Sequence, residues 1–296
     1  VTELVQNVVD GLGRGSIYAL LALGIAVIFG VMHLVNFAHG ELITVSSYMA
    51  YWILSVHSGS WWVAVPAIFF TSIATSVAIE FVAFRWVRGA ADFTMLLTSF
   101  GVHFVVQAIF VMYVSANVRI FPSPGWVNNT VSVAGINLEV FDLLTIGATA
   151  VTLIGTVWLL EKTMFGISLR AAALDFDAAR LMGVRSNRVI QGAFALAGAL
   201  AGVAGIFWLM RGGRAQPDLG TTPMLKGVLA AIIGGLGSLP GAVIGGLALG
   251  LAEVLFRSWL PTDLEGLTDG VVFLLIALLF IFRPEGLVRV GHAERV

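Results

Sequence analysis

Between Glu41 and Glu80 the chain carries no Asp, Glu, Lys or Arg. The same holds between Asp92 and Arg119, Asp142 and Glu161, Arg188 and Arg211, Lys226 and Glu253, and Asp269 and Arg283. A helix crosses a bilayer with about 20 apolar residues, so most of these windows hold one crossing and the first holds part of a second. A soluble domain has about 25% charged residues; here Asp, Glu, Lys and Arg make up 11%, against 58% hydrophobic residues. Such a surface in water would be largely apolar and prone to association. The class is an all-α polytopic membrane protein, one transmembrane domain over residues 1–296, with lipid as its solvent. The net charge of -1 suggests no nucleic-acid partner, and without Cys there is no disulfide or thiolate-bound metal. No metal site is expected. The opening VTELVQNVVDGLGRG does not read as a signal peptide.

Eight to nine membrane segments are predicted, some short or interrupted: Gly15–Val31, Leu42–Val56, Trp62–Phe84, Thr94–Ser115, Leu138–Leu160, Val189–Leu209, Leu225–Ile233, Ala242–Phe256 and Leu267–Phe282. The seventh is too short to cross alone; it either extends or pairs with the eighth as a re-entrant hairpin. One side carries Arg85, Arg88, Lys162, Arg170, Arg180, Arg185, Arg188, Arg283, Arg289 and Arg295. The other carries Arg14, Arg119, Arg211, Arg214, Lys226 and Arg257. The positive-inside bias makes the first side cytoplasmic, with the N-terminus outside and the C-terminus inside.

Two stretches interrupt the apolar pattern. GVMHLVNFAHGE breaks at Gly30 and around Asn36–Gly40, and IIGGLGSLPGAVIGG breaks at Gly234, Gly235, Gly237 and Pro240. Broken helices are tolerated in hydrocarbon only where protein or water satisfies the freed backbone groups, and short interrupted segments often mark a transport path. Candidate path residues are Asn36, His39, Glu41, His103, Gln107, Gly237, Ser238, Pro240 and Gly241. The plainer reading makes Asn36, His39 and Glu41 a cytoplasmic turn that caps the flanking helices, with Ser238 capping the second break. His103 and Gln107 share one helix face and should avoid lipid. Glu80 and Glu253 are expected to be neutralised locally by Arg85 and Arg257. Small residues four apart (Gly11/Gly15, Gly198/Gly202, Gly241/Gly245, Gly246/Gly250) predict close helix packing.

The loop over residues 161–188 centres on GISLRAAALDFDAARLMGVRSNRV. Its middle is helical, with Ser168 able to cap and Gly183 able to end it; a second helical stretch follows Ser186. Leu174, Ala178 and Leu181 form a small apolar face, with Asp175, Asp177 and Arg180 wet. Neither lysine, Lys162 or Lys226, lies in a phosphate-cradling Walker loop. If transport is ATP-driven, a separate subunit must bind ATP, and this loop is where it would dock.

GSIYALLALGIAVIFGVMHLVNFAHGE, LRAAALDFDAARLMGV and AAIIGGLGSLPGAVIGGLALG, in that order from about Leu12 to Leu287, resemble the LivH-like permease subunits of branched-chain amino acid ABC importers. The resemblance implies an inner-membrane transport subunit, not an enzyme. It implies a second related permease as heterodimer partner, two cytoplasmic ATPases that hold the ATP and Mg, and a periplasmic binding protein. It implies an amino acid, urea, short-amide or small-carboxylate cargo. It carries the ATPase-contact role to Asp175–Gly183, including Ala179. Ser46 and Ser47 stand where relatives often have Gly and Ala. A secondary transporter remains the alternative, although it would more often hold a central buried acid, and the acids here are expected near span ends. A third reading, an intramembrane hydrolase, would use Ser238 and His103.

Overall fold

The computed structural model describes residues 2–133 and 136–260, with positions 270, 273 and 274 beyond them. The expected span Leu267–Phe282 falls almost wholly outside the described residues, as do Arg283, Arg289 and Arg295. The helices are α1 Thr2–Met32, α2 Glu41–Tyr51, α3 Trp61–Val82, α4 Asp92–Tyr113, α5 Val140–Lys162, α6 Met164–Leu174, α7 Phe176–Leu181, α8 Ser186–Gly212, α9 Thr221–Gly234 and α10 Leu239–Trp259. Six, all but α2, α6, α7 and α9, are long and apolar enough to cross a membrane among the described residues. A wider π-type turn continues α2 to Val56. Short strands supplement the helices: β1 Arg119–Ile120 pairs with β4 Arg214–Ala215, and β2 Thr130–Val133 pairs with β3 Ile136–Glu139, both antiparallel.

The first helix begins earlier than its apolar run, at Thr2, and Gly30 stays helical. The break starts instead at His33, whose φ of 53° ends α1 in a left-handed turn. Helices α1 and α8 form the centre, with 89% and 72% of their apolar windows buried, against 17% for α4 and 22% for α5. The chain therefore has an inner pair, and an outer layer whose large apolar side chains, such as Phe104 and Trp158, face outward.

Trp61 donates to the Pro122 carbonyl, which places the start of α3 beside the strand segments. At its other end Glu80 pairs with Arg88. Arg88, Arg180, Arg185 and Arg188 surround an open cavity of about 1160 Å³ there. The two ends of the bundle are thus a strand end and a basic end.

Two units of long helix, short helix and long helix run in opposite directions. In the first, α1 runs to the basic end, α2 back toward the strand end, where Ser55 donates to the Ile120 carbonyl, and α3 to the basic end again. In the second, α8 runs to the strand end, α9 to the basic end, where Gly237 lies near Phe29, and α10 returns. Each unit's third helix packs on the other's first. Gly11 and Gly15 of α1 lie against Leu247, Gly250 and Leu251 of α10, and Gly246 meets Ala19. Gly198 and Gly202 of α8 lie against Ser72 and Ser76 of α3, whose hydroxyls donate to the Gly198 and Phe194 carbonyls at 2.8 and 2.6 Å. Lipid is as apolar as a leucine side chain, so van der Waals fit and buried hydrogen bonds, not water exclusion, hold such seams.

The short α9 and α10 form a hairpin turned by Gly235 and Gly237, with φ of 99° and 90°. Gly241 and Gly245 let α10 close against Gly234 and Ala230. At the basic end the expected single loop helix is two, α6 and α7, divided at Asp175. Thr163, not Ser168, caps α6 by accepting from Gly166 N–H at 3.2 Å, while Ser168 donates back to the Met164 carbonyl. Asp175 caps α7 through Ala178 N–H at 3.0 Å, and Gly183, φ 88°, ends the turn. The stretch after Ser186 is the start of α8 itself.

Candidate functional site where two half-helices meet

The site is built from two glycines. Gly40 precedes α2 and Gly220 precedes α9, and a methyl group on either would collide with the other's carbonyl. Two helix N-termini therefore meet head to head, and their helices leave in opposite directions. Their depth follows from α1: the His39 ring lies against Gly24, and Gly227 of α9 against Leu21 and Ile25. At 1.5 Å per residue this is about 12–16 Å from the end of α1, well inside the bundle. Thr44 stitches the junction by accepting from Gly220 N–H at 3.1 Å.

A polar chain links the two helix starts through α4. Glu41, the first residue of α2, has one carboxylate oxygen 2.7 Å from His103 Nδ1. Gln107 Nε2 lies 3.2 Å from His103 Nε2 and 3.2 Å from the hydroxyl of Thr221, the first residue of α9. Glu41 is fully buried and His103 nearly so. Each helix start presents the positive end of a helix dipole, although its first N–H groups are bonded: Glu41 N–H donates to the Ala38 carbonyl and Thr221 N–H to the Asp218 carbonyl. The Glu41 carboxyl group thus lies between the positive end of the α2 dipole and the His103 ring. Stacking of Phe37 on Phe100 and Tyr48 on Phe110, with centroids 4.3 and 4.1 Å apart, fastens α4 over the junction.

Of the predicted path residues, the structure brings together Asn36, His39, Glu41, His103 and Gln107. Asn36 caps the short 3-10 turn Phe37–Gly40 by accepting from Ala38 N–H at 3.0 Å. His39 is fully buried with neither ring nitrogen bonded among the described residues. Gly237, Ser238, Pro240 and Gly241 lie elsewhere, in the α9–α10 turn near the basic end, where Ser238 caps α10 by accepting from Gly241 N–H at 3.0 Å. A Ser238–His103 hydrolase is not assembled: Ser238 is held in that cap, and His103 is held by Glu41 and Gln107. The junction's second half, Gly220–Thr221, was not among the predicted residues. Its signal is present in LGTTPML: a Gly and two hydroxyl residues ahead of a Pro in the first helical turn.

Two ion pairs differ from the local ones expected. Glu80 pairs with Arg88, not Arg85. Glu253 binds Lys226 at 2.8 Å and Arg14 at 3.3 Å, with the Tyr18 hydroxyl donating at 2.8 Å, instead of meeting Arg257 one turn away. Acids are thus not confined to span ends: Glu41 and Glu253 sit at depth, each matched to partners from other helices. Ser46 and Ser47 are buried and bond to the Ile68 and Thr44 carbonyls, so they serve packing inside this subunit. Among the described residues no group of three or more His, Asp or Glu is placed to hold a metal.

On the coupling segment, Leu174, Leu181 and Met182 are 85%, 89% and 86% exposed. Arg180 and Ala178 are exposed beside them, whereas Ala179 packs inward. The side chain of Asp177 lies outside the described residues.

Apolar crossing helices, small-residue seams and broken helices meeting at depth define a multi-pass membrane transport protein. The family model for the permease component of branched-chain amino acid transport systems matches residues 7–280, and the chain belongs to that family. The high-affinity branched-chain amino acid permease protein BraD of Pseudomonas aeruginosa is 31% identical across 100% of this chain and 99% of its own. LivH of Escherichia coli is 30% identical across 98% of this chain and 97% of its own. The autoinducer 2 import permease LsrC of Escherichia coli is 31% identical over 46% of this chain and 42% of its own. The chain is a transport permease of the branched-chain amino acid ABC transporter family.

Proposed function

We propose that this chain is one of two related permease subunits in an inner-membrane, ATP-driven importer that takes a small polar solute from a periplasmic binding protein. The whole chain acts as one transmembrane domain, and the cargo is an amino acid, branched-chain by preference. The full-length likeness to BraD and LivH supports the amino acid over the autoinducer of LsrC, whose likeness covers 46% of the chain. The basic end, with Arg88, Arg180, Arg185 and Arg188, faces the cytoplasm and the start of α1 faces the periplasm, in keeping with the positive-inside bias.

The observation that carries the coupling is the bare apolar edge of α6–α7. Leu174, Leu181 and Met182 project from the basic end, exposed among the described residues. The sequence has no Walker loop, so the ATP and Mg belong to two partner ATPases, which grip residues 161–188. Asp175 sets the start of α7 and Gly183 its end, so the grip acts on a helix fixed at both ends. ATP-driven closure of the ATPases moves that helix, α8 transmits the motion, and the α2–α9 junction opens and closes around the path. Movement between two states of different solute affinity needs such external work.

The test is ATP-dependent uptake by the complete complex in liposomes. Leu181→Asp, at an exposed position, and the pair Ala178→Asp/Ala179→Asp are expected to abolish uptake. Undiminished uptake with the complex assembled refutes the coupling role. The buried Glu41–His103 pair favours one second reading, an ion-coupled transporter. Uptake that persists without ATP and collapses with an ionophore would select it.

A further inference from the structure

The open cavity of about 1160 Å³ at the basic end lies where several segments stop or start together. Its lining includes Met32 at the end of α1, Arg88–Ala90 in the link from α3 to α4, and Asn187 and Arg188 in the first turn of α8. Helices α1, α3, α4 and α8 are each long and apolar enough to cross a membrane. A cavity at their shared end therefore sits at the level of the lipid headgroups.

Four arginines converge on it from three segments: Arg88 from the link, Arg180 from α7, and Arg185 and Arg188 from the start of α8. Arg88 is already engaged. It pairs with Glu80 and donates to the Asn187 side chain at 2.6 Å, which fastens the link to α8. The side chains of Arg180, Arg185 and Arg188 make no hydrogen bond or ion pair among the described residues. Asp92 is the acid on the wall. Asp175 lies outside the lining, at the end of α7 away from Arg180, where it caps the helix. Setting Arg180 against the acids of α7 still leaves Arg185 and Arg188 against Asp92 alone, a surplus of positive charge.

Topology asks for basic residues on one side of the membrane but does not gather them into one place. Arginines of the same end that lie outside the cavity have partners within the chain: Arg85 lies over the Phe81 ring at 5.1 Å, and Arg170 donates to the Leu160 carbonyl. Among the described arginines of that end, the unpartnered ones are the three that share the cavity. Met32, Met95 and Ile190 add apolar wall. On either side of the link, Trp86 and Phe93 are 81% and 72% exposed, as lipid-facing side chains at the headgroup level are. Arginine suits phosphate because its planar guanidinium offers two parallel N–H donors to two oxygens. Basic pockets between membrane helices hold anionic headgroups in this way. A free inorganic anion would use the arginines and leave the apolar wall without a function.

We propose that this cavity binds the headgroup of an anionic phospholipid, its phosphate on Arg185 and Arg188 and its acyl chains on the outer face beside Phe93. The proposal rests on the chain being a membrane protein and is independent of which solute it carries. It places a lipid on the turn between α7 and α8, the turn through which the proposed coupling passes.

The test is native mass spectrometry of the purified complex, delipidated in detergent and titrated with phosphatidylglycerol, phosphatidylcholine or glycerol 3-phosphate. Phosphatidylglycerol is expected to bind saturably and at least tenfold more tightly than either of the others. The double variant Arg185→Gln/Arg188→Gln should weaken that binding at least tenfold, about fivefold for each arginine removed. Arg85→Gln, at the same end but outside the cavity, should leave it within about twofold. All three positions are exposed, so the variants are expected to fold. Equal affinity for the two lipids overturns the proposal, as does equal weakening by Arg85→Gln and the double variant. Glycerol 3-phosphate binding as tightly as phosphatidylglycerol makes this a free-anion site and overturns it too. Loss of the ATPase subunits from the double variant, with phosphatidylglycerol binding unchanged, assigns the arginines to the protein partner and overturns it as well.

Discussion

The α1–α10 and α3–α8 seams are counterparts in the two inverted units, yet they are held by different forces. Between α3 and α8 two serine hydroxyls reach across to backbone carbonyls, and the glycines have side-chain atoms of Ser72 and Ser76 among their neighbours. Between α1 and α10 the contact is backbone on backbone: Gly250 against Gly15, Gly246 against Ala19. The polar component there is an ion cluster of Arg14, Lys226, Tyr18 and Glu253, with Lys226 contributed by the short helix α9. A hydrogen-bonded seam fixes register at two points. A smooth glycine seam has no such pins along its length, so its register depends on the ion cluster. On the proposed mechanism the difference says where motion would enter: α3–α8 would be the fixed strut, and α1–α10, tied to α9 and hence to the junction, the seam that slides.

The largest expected effect comes from Gly250→Leu, which forces a bulky side chain into the α1 backbone. Folded yield should be lost, whereas Gly202→Ala, with its nearest neighbour at 3.2 Å, should cost about 1 kcal/mol or less in thermal unfolding. Equal losses at the two positions would erase the distinction between the seams. Next, Lys226→Met leaves Glu253 with Arg14 and Tyr18 and should destabilise by about 3 kcal/mol or more, as broken buried pairs do. Adding Glu253→Leu should recover most of that, since an apolar replacement for both partners removes the orphaned charge. A double variant as unstable as the single one would show that the cluster acts through packing alone. Ser76→Ala should cost about 1 kcal/mol by removing one buried hydrogen bond. It should also leave uptake by the reconstituted complex near wild type, as suits a strut. The smallest shift in stability, below about 1 kcal/mol, is expected for Thr221→Val, which takes the acceptor from Gln107 at the junction. Its effect should appear in uptake instead.

Much of this was legible in the sequence. Charge-free windows located the crossings from α3 to α10 among the described residues, and α1 was found from its apolar run, because a charge at depth is costly in lipid and the pattern leaves little choice. The glycine pairs foretold the seams, Gly11/Gly15 and Gly246/Gly250 most directly. The loop's end at Gly183 and the sharing of a face by His103 and Gln107 followed from local rules. Local rules failed where partners came from far along the chain. Glu253 lies four residues from Arg257, yet it bonds Lys226, 27 residues away, and Arg14, 239 away. The meeting of Gly40 with Gly220 is invisible to any window, since each looks like an ordinary helix start until the units are placed head to head. The second glycine break drew notice for its density of Gly and Pro, but that density serves a tight turn between α9 and α10.

The chain contains no cysteine, so a single introduced thiol reports on one place. The central claim is that the α2–α9 junction opens and closes with the ATPase cycle. Thr221→Cys in the reconstituted complex, challenged with a membrane-impermeant thiol reagent, measures this directly. Labelling should change severalfold between the nucleotide-free state and a state trapped with ATP and vanadate. Identical labelling rates in the two states, in a complex that still hydrolyses ATP and imports solute, would contradict it.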